Sequence, residues 1–349
     1  MRRELPAALR SRHGTTFVIA EAGVNHDGDI DKAIALVDAA ASAAADAVKF
    51  QTFSADRLVT RSAPKAAYQK RTTNNEESQH AMLRRLELSD EAHHRLQQHA
   101  STREITFLST PFDEVAADFL DGLGVAAFKV PSGELTNLPF LAHVARKRKP
   151  MIVSTGMATL AEVERALDTI RAAAPAVEVV VLHCTSNYPA AVDDVNLRAM
   201  ESLSRAFGVT VGYSDHTLGT SVSTAAVALG ASLIEKHFTL DKSAAGPDHA
   251  ASLDVQQLAA LIVAIRDVEM ALGDGVKRPR PAEREVALVA RKSIVAARRL
   301  TVGQIIGAAD VVLRRPGSGL GADVLPLVIG RTLRCDVDEG TLLSLEALS

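Results

Sequence analysis

The chain has 349 residues, of which 47% are hydrophobic and 23% charged, and its formal net charge at pH 7 is −3. This length suits one large domain and a small one, and the weak charge gives no reason to expect nucleic acid or a membrane as a partner. No run approaches the roughly 20 apolar residues of a membrane span, and the basic N-terminus lacks the apolar stretch of a signal peptide, so we expect a cytoplasmic protein.

Short apolar runs alternate with amphipathic helical patterns along most of the chain. Eight runs are nearly continuously apolar, which is typical of parallel strands covered on both faces. They span residues 17–23, 46–51, 105–110, 126–132, 151–156, 179–184, 209–214 and 232–238. Eight strand–helix units over about 270 residues predict an α/β fold of the TIM (β/α)8 barrel type. The main alternative, a doubly wound sheet, normally carries a glycine-rich phosphate loop after its first strand, where this chain has EAGVNHDG.

Two segments depart from this alternation. Residues 54–88 form a long polar insertion after the second strand, which is either a functional lid or interface arm, or a solvated excursion. After a helix at about 254–273, residues 274–290 are rich in charge and proline, as in a linker. Residues 291–349 predict a small β-rich domain that docks on the barrel or on another subunit. The predicted domains are therefore a 1–273 barrel, the 274–290 linker and the 291–349 domain.

Polar side chains follow almost every predicted strand, at the end of a barrel where chemistry takes place. One set consists of cations and hydroxyl donors that suit a phosphate or carboxylate dianion, and its members are Lys49, Lys129, Ser132, Ser154, Ser186 and Ser214. Glu21, Glu134 and Glu235 are candidate acid–base groups. A single lysine could instead form a Schiff base, as in class I aldolases.

His216 and His237 occupy matching places at the ends of the last two predicted strands. Each has an acid beside it, Asp215 or Glu235, which we expect to orient the imidazole as a metal ligand. No thiolate accompanies them, so the pair suits Mn, Co, Mg or Zn. Two protein ligands leave positions for water and a substrate oxygen, so the ion could act as a Lewis acid on a carbonyl.

A series of motifs resembles the sialic acid synthase family, which includes the synthases of N-acetylneuraminate, legionaminate and pseudaminate. The motifs occur in family order over residues 15–345, and they include AEAGVNHDGD, DAVKFQTF, LSTPFD, FKVPSGELTNLP, VSTGMAT, LHCTSNYP, GYSDHTLG, EKHFTLDK, GPDHAASL and RRPGSG. The resemblance implies a TIM barrel followed by an antifreeze-like (SAF) domain. It also implies a domain-swapped homodimer in which the small domain caps the partner's active site.

The resemblance implies a reaction as well. Phosphoenolpyruvate condenses with an open-chain N-acylated mannosamine-type sugar, and the products are a nine-carbon 2-keto acid and phosphate. His216 and His237 would hold a divalent ion, most simply Mn2+ with Mg2+ or Co2+ as alternatives, against the sugar aldehyde. Glu134 would lie near the reacting centre, and Glu21 would orient metal-bound water.

By the same resemblance, two groups of residues bind the substrates. The phosphoenolpyruvate contacts would be Lys49, Thr110, Lys129, Ser132, Ser154, Ser186 and Ser214. The sugar contacts would be Gln51, Tyr188 and Asp248, with Arg315 reaching in from the other subunit. Ser186 departs from the asparagine of some members. Tyr68 and Gln69, from PKAAYQ, either touch the sugar tail or pack within the insertion.

Three acceptor sugars are consistent with the sequence: N-acetylmannosamine, its 6-phosphate, and the 2,4-diacetamido-2,4,6-trideoxymannose of legionaminate synthesis.

Two other functions are compatible with the same fold. One is a Schiff-base aldolase or lyase with Lys49 or Lys129 as the nucleophile. The other is a non-catalytic binding protein, against which the polar strand ends argue.

Overall fold

The computed structural model describes residues 5–73 and 76–349. The chain separates into two compact units, Met1–Gly273 and Asp274–Ser349. No helix in the described residues is both long and apolar enough to cross a membrane.

The first unit contains eight parallel strands. They are β1 (Phe17–Gly23), β2 (Ala47–Thr52), β3 (Thr106–Pro111), β4 (Phe128–Val130), β5 (Met151–Ser154), β6 (Val179–Cys184), β7 (Thr210–Asp215) and β8 (Leu233–His237). Their hydrogen-bonded order is β3-β2-β1-β8-β7-β6-β5-β4. Strands β3 and β4, at the two ends of this order, contact each other. The sheet is therefore a nearly closed barrel, which confirms the predicted fold class and excludes the doubly wound alternative.

Helices follow the strands and start at recognisable caps. They are α1 (Ile30–Ser42), α2 (Ala55–Leu58), α3 (Ala67–Thr72), α4 (Gln79–Leu86), α5 (Asp90–Thr102), α6 (Glu114–Leu123), α7 (Leu138–Ala145), α8 (Leu160–Ala173), α9 (Ala199–Phe207), α10 (Ser221–Ala228) and α11 (Val255–Leu272). Asp29 caps α1 and Ser89 caps α5 through side-chain oxygens that accept backbone N–H groups. Thr159 and Glu162 form a capping box at α8.

Successive side chains along a strand point alternately into the barrel and toward the helices. Because successive strand residues face opposite ways, Phe17, Ile19 and Glu21 share one face of β1. The first two belong to an apolar cluster inside the barrel, together with Leu108, Ile152 and Leu233 from other strands. Val18 and Ala20 face the helices in a separate, larger cluster. On β1 and β8 the inward positions are thus apolar at the start of the strand and polar at its carboxyl end.

The second unit has its own small core. Helix α12 (Pro281–Ala290) precedes an antiparallel pair, β9 (Ser293–Ala296) and β10 (Val311–Arg314), and α13 (Leu325–Val328) follows. Ile294, Leu300, Ile306, Leu333 and Leu343 pack together in this core. Residues 281–290, where the sequence predicts a linker, are helical.

The close packing of the barrel interior leaves no room for a side chain at Gly212 of β7. An added Cβ there would collide with the backbone oxygen of Leu233 and lie 2.7 Å from Cδ2 of Leu182. We expect Gly212→Ala to lower the free energy of unfolding by about 1–3 kcal/mol, because a neighbouring strand must shift. Urea unfolding measures this. Gly122→Ala in α6 is the control: nothing lies within 4 Å of its added Cβ, so we expect no loss. Equal stability of the two variants would contradict the argument.

Candidate active site

A cavity of about 480 Å³ opens at the carboxyl ends of the barrel strands. Most residues that the sequence singles out line it, namely Glu21, Lys49, Gln51, Thr110, Lys129, Ser132, Ser154, Ser186, Tyr188, Ser214, His216, His237 and Asp248. Two do not. Glu134 is half-buried in a short 3-10 turn and accepts a 2.7 Å hydrogen bond from Asn137. Arg315 belongs to the second unit, where its Nε donates to the carbonyl of Ala290. Their roles stay predictions.

Two lysines and two glutamates form a buried charge network at the base of the cavity. Lys49 Nζ lies 2.6 Å from Glu21 and 3.7 Å from Glu235. Lys129 Nζ lies 3.1 Å from Glu235. Glu235 therefore faces both ammonium groups, whereas Glu21 faces one. All four side chains are almost fully buried, so each charge depends on its partners to offset the loss of water.

This asymmetry separates the two carboxylates chemically. Burial raises the pKa of Glu21 to about 7, against the opposing charge of Lys49. Burial would also raise the pKa of Glu235, but Lys129 and Lys49 outweigh it and lower that pKa to about 2. For Lys49, burial is outweighed by Glu21 and Glu235, so its pKa rises. Near neutral pH Glu235 thus remains a carboxylate, whereas Glu21 exchanges a proton. A protonated Glu21 leaves less negative charge beside the two lysines, which favours an arriving anion.

Hydroxyl groups surround these ammonium groups. Lys49 donates to Thr110 Oγ1 at 2.9 Å, and Ser214 donates to Glu235 at 2.9 Å. The buried Ser154 hydroxyl has no hydrogen-bond partner among the described residues. Such donors beside two cations suit the oxygens of a phosphate or carboxylate.

Gly156 leaves room for the hydroxyl groups on this side of the cavity, and it was not among the residues predicted from the sequence. Its backbone N–H donates to Ser132 Oγ at 2.9 Å. An added Cβ would collide with Ser186 Oγ and lie 2.8 Å from both Ser132 Oγ and Cys184 Sγ. Only glycine lets the hydroxyls of Ser132 and Ser186 lie this close to the backbone of residue 156. The glycine of the VSTGMAT motif is the sequence feature that could have indicated this close approach.

His216 is a neutral imidazole with one ring nitrogen available to bind a metal ion. Its Nδ1–H donates to the carbonyl of Thr185 at 2.8 Å, which leaves the Nε2 lone pair available. Burial lowers the pKa of His216 to about 4. The Tyr188 ring packs on the imidazole with centroids 4.1 Å apart.

His237 completes the pair, with its ring centroid 5.6 Å from that of His216. Burial lowers the pKa of His237 well below its usual value, and the neighbouring His216 adds to this shift. Its Nδ1 is buried without a hydrogen bond in the described structure, and Asp248 Oδ2 lies 3.9 Å away. Burial raises the pKa of Asp248 to about 6.

The acids beside the histidines in sequence do not orient them, so that expectation was wrong. Asp215 faces the helix layer, where it pairs with Lys236 at 2.8 Å and accepts from Thr217 and Ser223. Glu235 belongs to the lysine network. The physical reason is strand alternation, which turns Asp215 away from the face that carries Ser214.

The insertion supplies the upper wall of the cavity, which decides between the two interpretations of residues 54–88. Its lining residues are Leu58, Val59, Ala66, Gln69, Gln79, Met82, Leu83 and Leu86. Met82 and Leu86 pack with Val24 and Phe53 from the strand ends. The sequence analysis missed all of these except Gln69, because it placed no secondary structure in the insertion. The side chain of Tyr68 lies outside the described residues.

The two histidines meet the chemical requirements of a divalent ion only in part. Both are neutral, and both have a ring nitrogen without a hydrogen bond. Among the described residues, however, no group of three or more His, Cys, Asp or Glu is placed to hold a metal. An ion here would therefore depend on two imidazoles and on oxygen atoms from outside the protein.

Comparisons with known proteins identify the family of the chain. A model of the NeuB family matches residues 36–277, and one of the SAF domain matches residues 291–349. The N,N'-diacetyllegionaminic acid synthase of Legionella pneumophila is 48% identical over 94% of this chain and 93% of its own length. The enzyme of that name from Campylobacter jejuni is 49% identical over 88% and 92%. The N-acetylneuraminic acid (sialic acid) synthetase structure from Leptospira borgpetersenii aligns with a TM-score of 0.68 and 32% identity, over 78% and 90%.

The proton affinity of Glu21 predicts how stability depends on pH. The folded state raises the pKa of this carboxyl from its ordinary 4.5 to about 7. The stabilisation from the bound proton is thus complete below pH 4.5 and is lost as the pH rises through 7. Glu21→Gln cannot lose that proton, so its stability relative to wild type should rise by about 1–3 kcal/mol between pH 5 and 7.5.

Urea unfolding in EDTA at both pH values tests this expectation. Glu164→Gln, at an exposed position of α8, serves as the control and should follow the wild type. If Glu21→Gln and wild type change in parallel with pH, Glu21 is not the group that exchanges the proton.

Proposed function

Because the chain belongs to the NeuB family, we propose that it condenses phosphoenolpyruvate with an N-acylated mannosamine-type sugar to give a nonulosonate and phosphate. The observation that carries this proposal is the divided cavity. Cations and hydroxyls line its base, and two neutral imidazoles lie on one side. The cations and hydroxyls suit the phosphate and carboxylate of phosphoenolpyruvate. The two imidazoles could hold a divalent ion that acts on the aldehyde of the sugar.

In the proposed reaction, C3 of phosphoenolpyruvate attacks the aldehyde carbon of the open-chain sugar. Water adds to C2, and the resulting hemiketal phosphate loses phosphate to leave the 2-keto acid. The former aldehyde oxygen gains a proton and the water loses one. Glu21 can hold or release this proton near neutral pH, since its pKa is about 7. Glu134, the other candidate, does not line the described cavity, so we favour Glu21.

Lys49 and Lys129 bind and orient the phosphoenolpyruvate anion. Their pairing with Glu21 and Glu235 fixes both ammonium groups before the substrate arrives, so little reorganisation is needed. Thr110 and Ser214 hold Lys49 and Glu235 in place. This arrangement disfavours the Schiff-base alternative, because a paired Lys49 with a raised pKa is a poor nucleophile.

A divalent ion, most simply Mn2+, would be held by His216 and His237. When bound, such an ion supplies Lewis-acid chemistry at a carbonyl oxygen. The chain contributes two lone pairs, because burial keeps both imidazoles neutral and the Thr185 carbonyl holds the proton of His216 on Nδ1. Asp248 is close enough to His237 to bind a sugar hydroxyl in the same region.

For the acceptor, we favour the 2,4-diacetamido-2,4,6-trideoxy sugar over N-acetylmannosamine. Two relatives at 48% and 49% identity are named as N,N'-diacetyllegionaminic acid synthases. The upper wall of the cavity is mostly apolar, with Leu58, Met82 and Leu83 among its residues, which suits methyl groups. Among the described residues that line the cavity, the cations are Lys49 and Lys129, and both lie in the buried network at its base. The upper wall therefore offers no positive charge to a 6-phosphate.

Phosphate release should require phosphoenolpyruvate, the acceptor and a divalent ion together. Exhaustive EDTA treatment should abolish it, and Mn2+ should restore it. His216→Ala and His237→Ala should each lower turnover at least about 1000-fold, since either change removes one of two ligands. Direct measurement of bound Mn2+ should show weakened binding in both variants.

His143→Ala is the matched control, because His143 is a surface histidine paired with Asp118. It should keep full turnover and full Mn2+ binding. Phosphate release that survives EDTA, or near-normal turnover in either active-site variant, would count decisively against the proposal. Borohydride trapping of a pyruvate adduct would support the lyase instead.

We also expect a homodimer in which Arg315 of one protomer serves the barrel of the other. Arg315→Ala and His216→Ala should each be nearly inactive alone. Mixing the two unfolded variants and refolding them together should restore up to about a quarter of wild-type turnover, because mixed dimers contain one complete site. No recovery would mean that Arg315 does not act across subunits.

A further inference from the structure

The upper wall of the cavity contains one polar feature in an otherwise apolar surface. Among the described insertion residues that line it, Gln69 and Gln79 alone carry polar side chains. Leu58, Met82 and Leu83 are representative of the others. A primary amide in such a wall is costly unless both its ends are hydrogen-bonded.

The orientation of both amides follows from their neighbours. Gln69 Oε1 accepts the backbone N–H of Ala66 at 2.9 Å, which assigns the oxygen end. Gln79 Nε2 lies 3.5 Å from the same oxygen. One donor and one acceptor remain, Gln69 Nε2 and Gln79 Oε1, and neither has a partner among the described residues. Gln69 is only 9% exposed and Gln79 is half-buried, and both residues line the cavity.

An adjacent donor and acceptor are complementary to one secondary amide. Its carbonyl oxygen accepts from Gln69 Nε2, and its N–H donates to Gln79 Oε1. A hydroxyl can also donate and accept, but it brings no methyl group to the apolar residues beside the pair. An acetamido group matches both the polar and the apolar parts of this wall.

We infer that Gln69 and Gln79 are specificity residues that bind the acetamido group at C4 of the acceptor sugar. This inference rests on the proposed function, in which the aldehyde end of the sugar lies toward His216 and His237. The remainder of the open chain then extends toward the insertion. The amide pair distinguishes acceptors by the substituent at C4 and leaves phosphoenolpyruvate binding untouched.

Two acceptors that differ only at C4 provide the test. They are 2,4-diacetamido-2,4,6-trideoxymannose and 2-acetamido-2,6-dideoxymannose, which carries a hydroxyl at C4. The wild type should favour the diacetamido sugar in kcat/KM. Gln79→Leu and Gln69→Leu should each lower this preference about tenfold or more, because a hydrogen bond to the amide is lost. The KM for phosphoenolpyruvate should not change.

Two further variants sharpen the comparison. Gln79→Glu keeps an acceptor oxygen and should retain more of the preference than Gln79→Leu. Gln98→Leu, at an exposed position of α5, should behave as wild type. A preference that survives both leucine variants, or a wild type that favours the C4-hydroxyl sugar, would overturn the inference. If the wild type releases no phosphate with either sugar, the proposed function itself fails.

Discussion

The paired charges of Lys49, Lys129, Glu21 and Glu235 are the constraint around which the upper barrel is organised. Removing an ionised group from water costs several kcal/mol, and pairing with an opposite charge offsets that cost. Because Glu235 faces both lysines, it stays ionised and holds them as fixed cations. Glu21 faces one lysine and so remains able to exchange a proton. A single asymmetric network thus contains both the proposed anion site and the proposed acid–base group.

The rest of the barrel supports this network through the two-residue period of its strands. Phe17 and Ile19 lie below Glu21 on one strand, and Leu233 lies below Glu235 on another. These apolar residues exclude water from beneath the charges, which strengthens the ion pairs above them. The same period turns Asp215 outward to Lys236, so that this buried pair joins strands and helices instead of entering the cavity. Ion pairs that face the cavity and an ion pair that faces the helices thus occupy neighbouring positions.

In the proposed function, the insertion takes part in selecting the acceptor sugar. The base of the cavity comes from strand ends, whereas the upper wall comes from α2, α3, α4 and the turns between them. Met82 and Leu86 anchor this wall on Val24 and Phe53. In the proposed function, the phosphoenolpyruvate contacts therefore come from strand ends, whereas the acceptor contacts come from strand ends and from the insertion together. A change in the insertion can alter the acceptor without disturbing the charge network.

The sequence by itself determined the barrel, because eight apolar runs at regular spacing fit few other folds, and it placed Lys49, Lys129, Ser214, His216 and His237 at one end. Period-two alternation makes such positions predictable from local pattern alone. Only the tertiary structure decided which carboxylate meets which lysine, since Glu21 and Glu235 are more than 200 positions apart and approach through barrel closure. It likewise decided that Asp215 serves Lys236, that Gly156 must lack a side chain and that the insertion covers the cavity. Each of these depends on distances across the barrel, which no local pattern encodes.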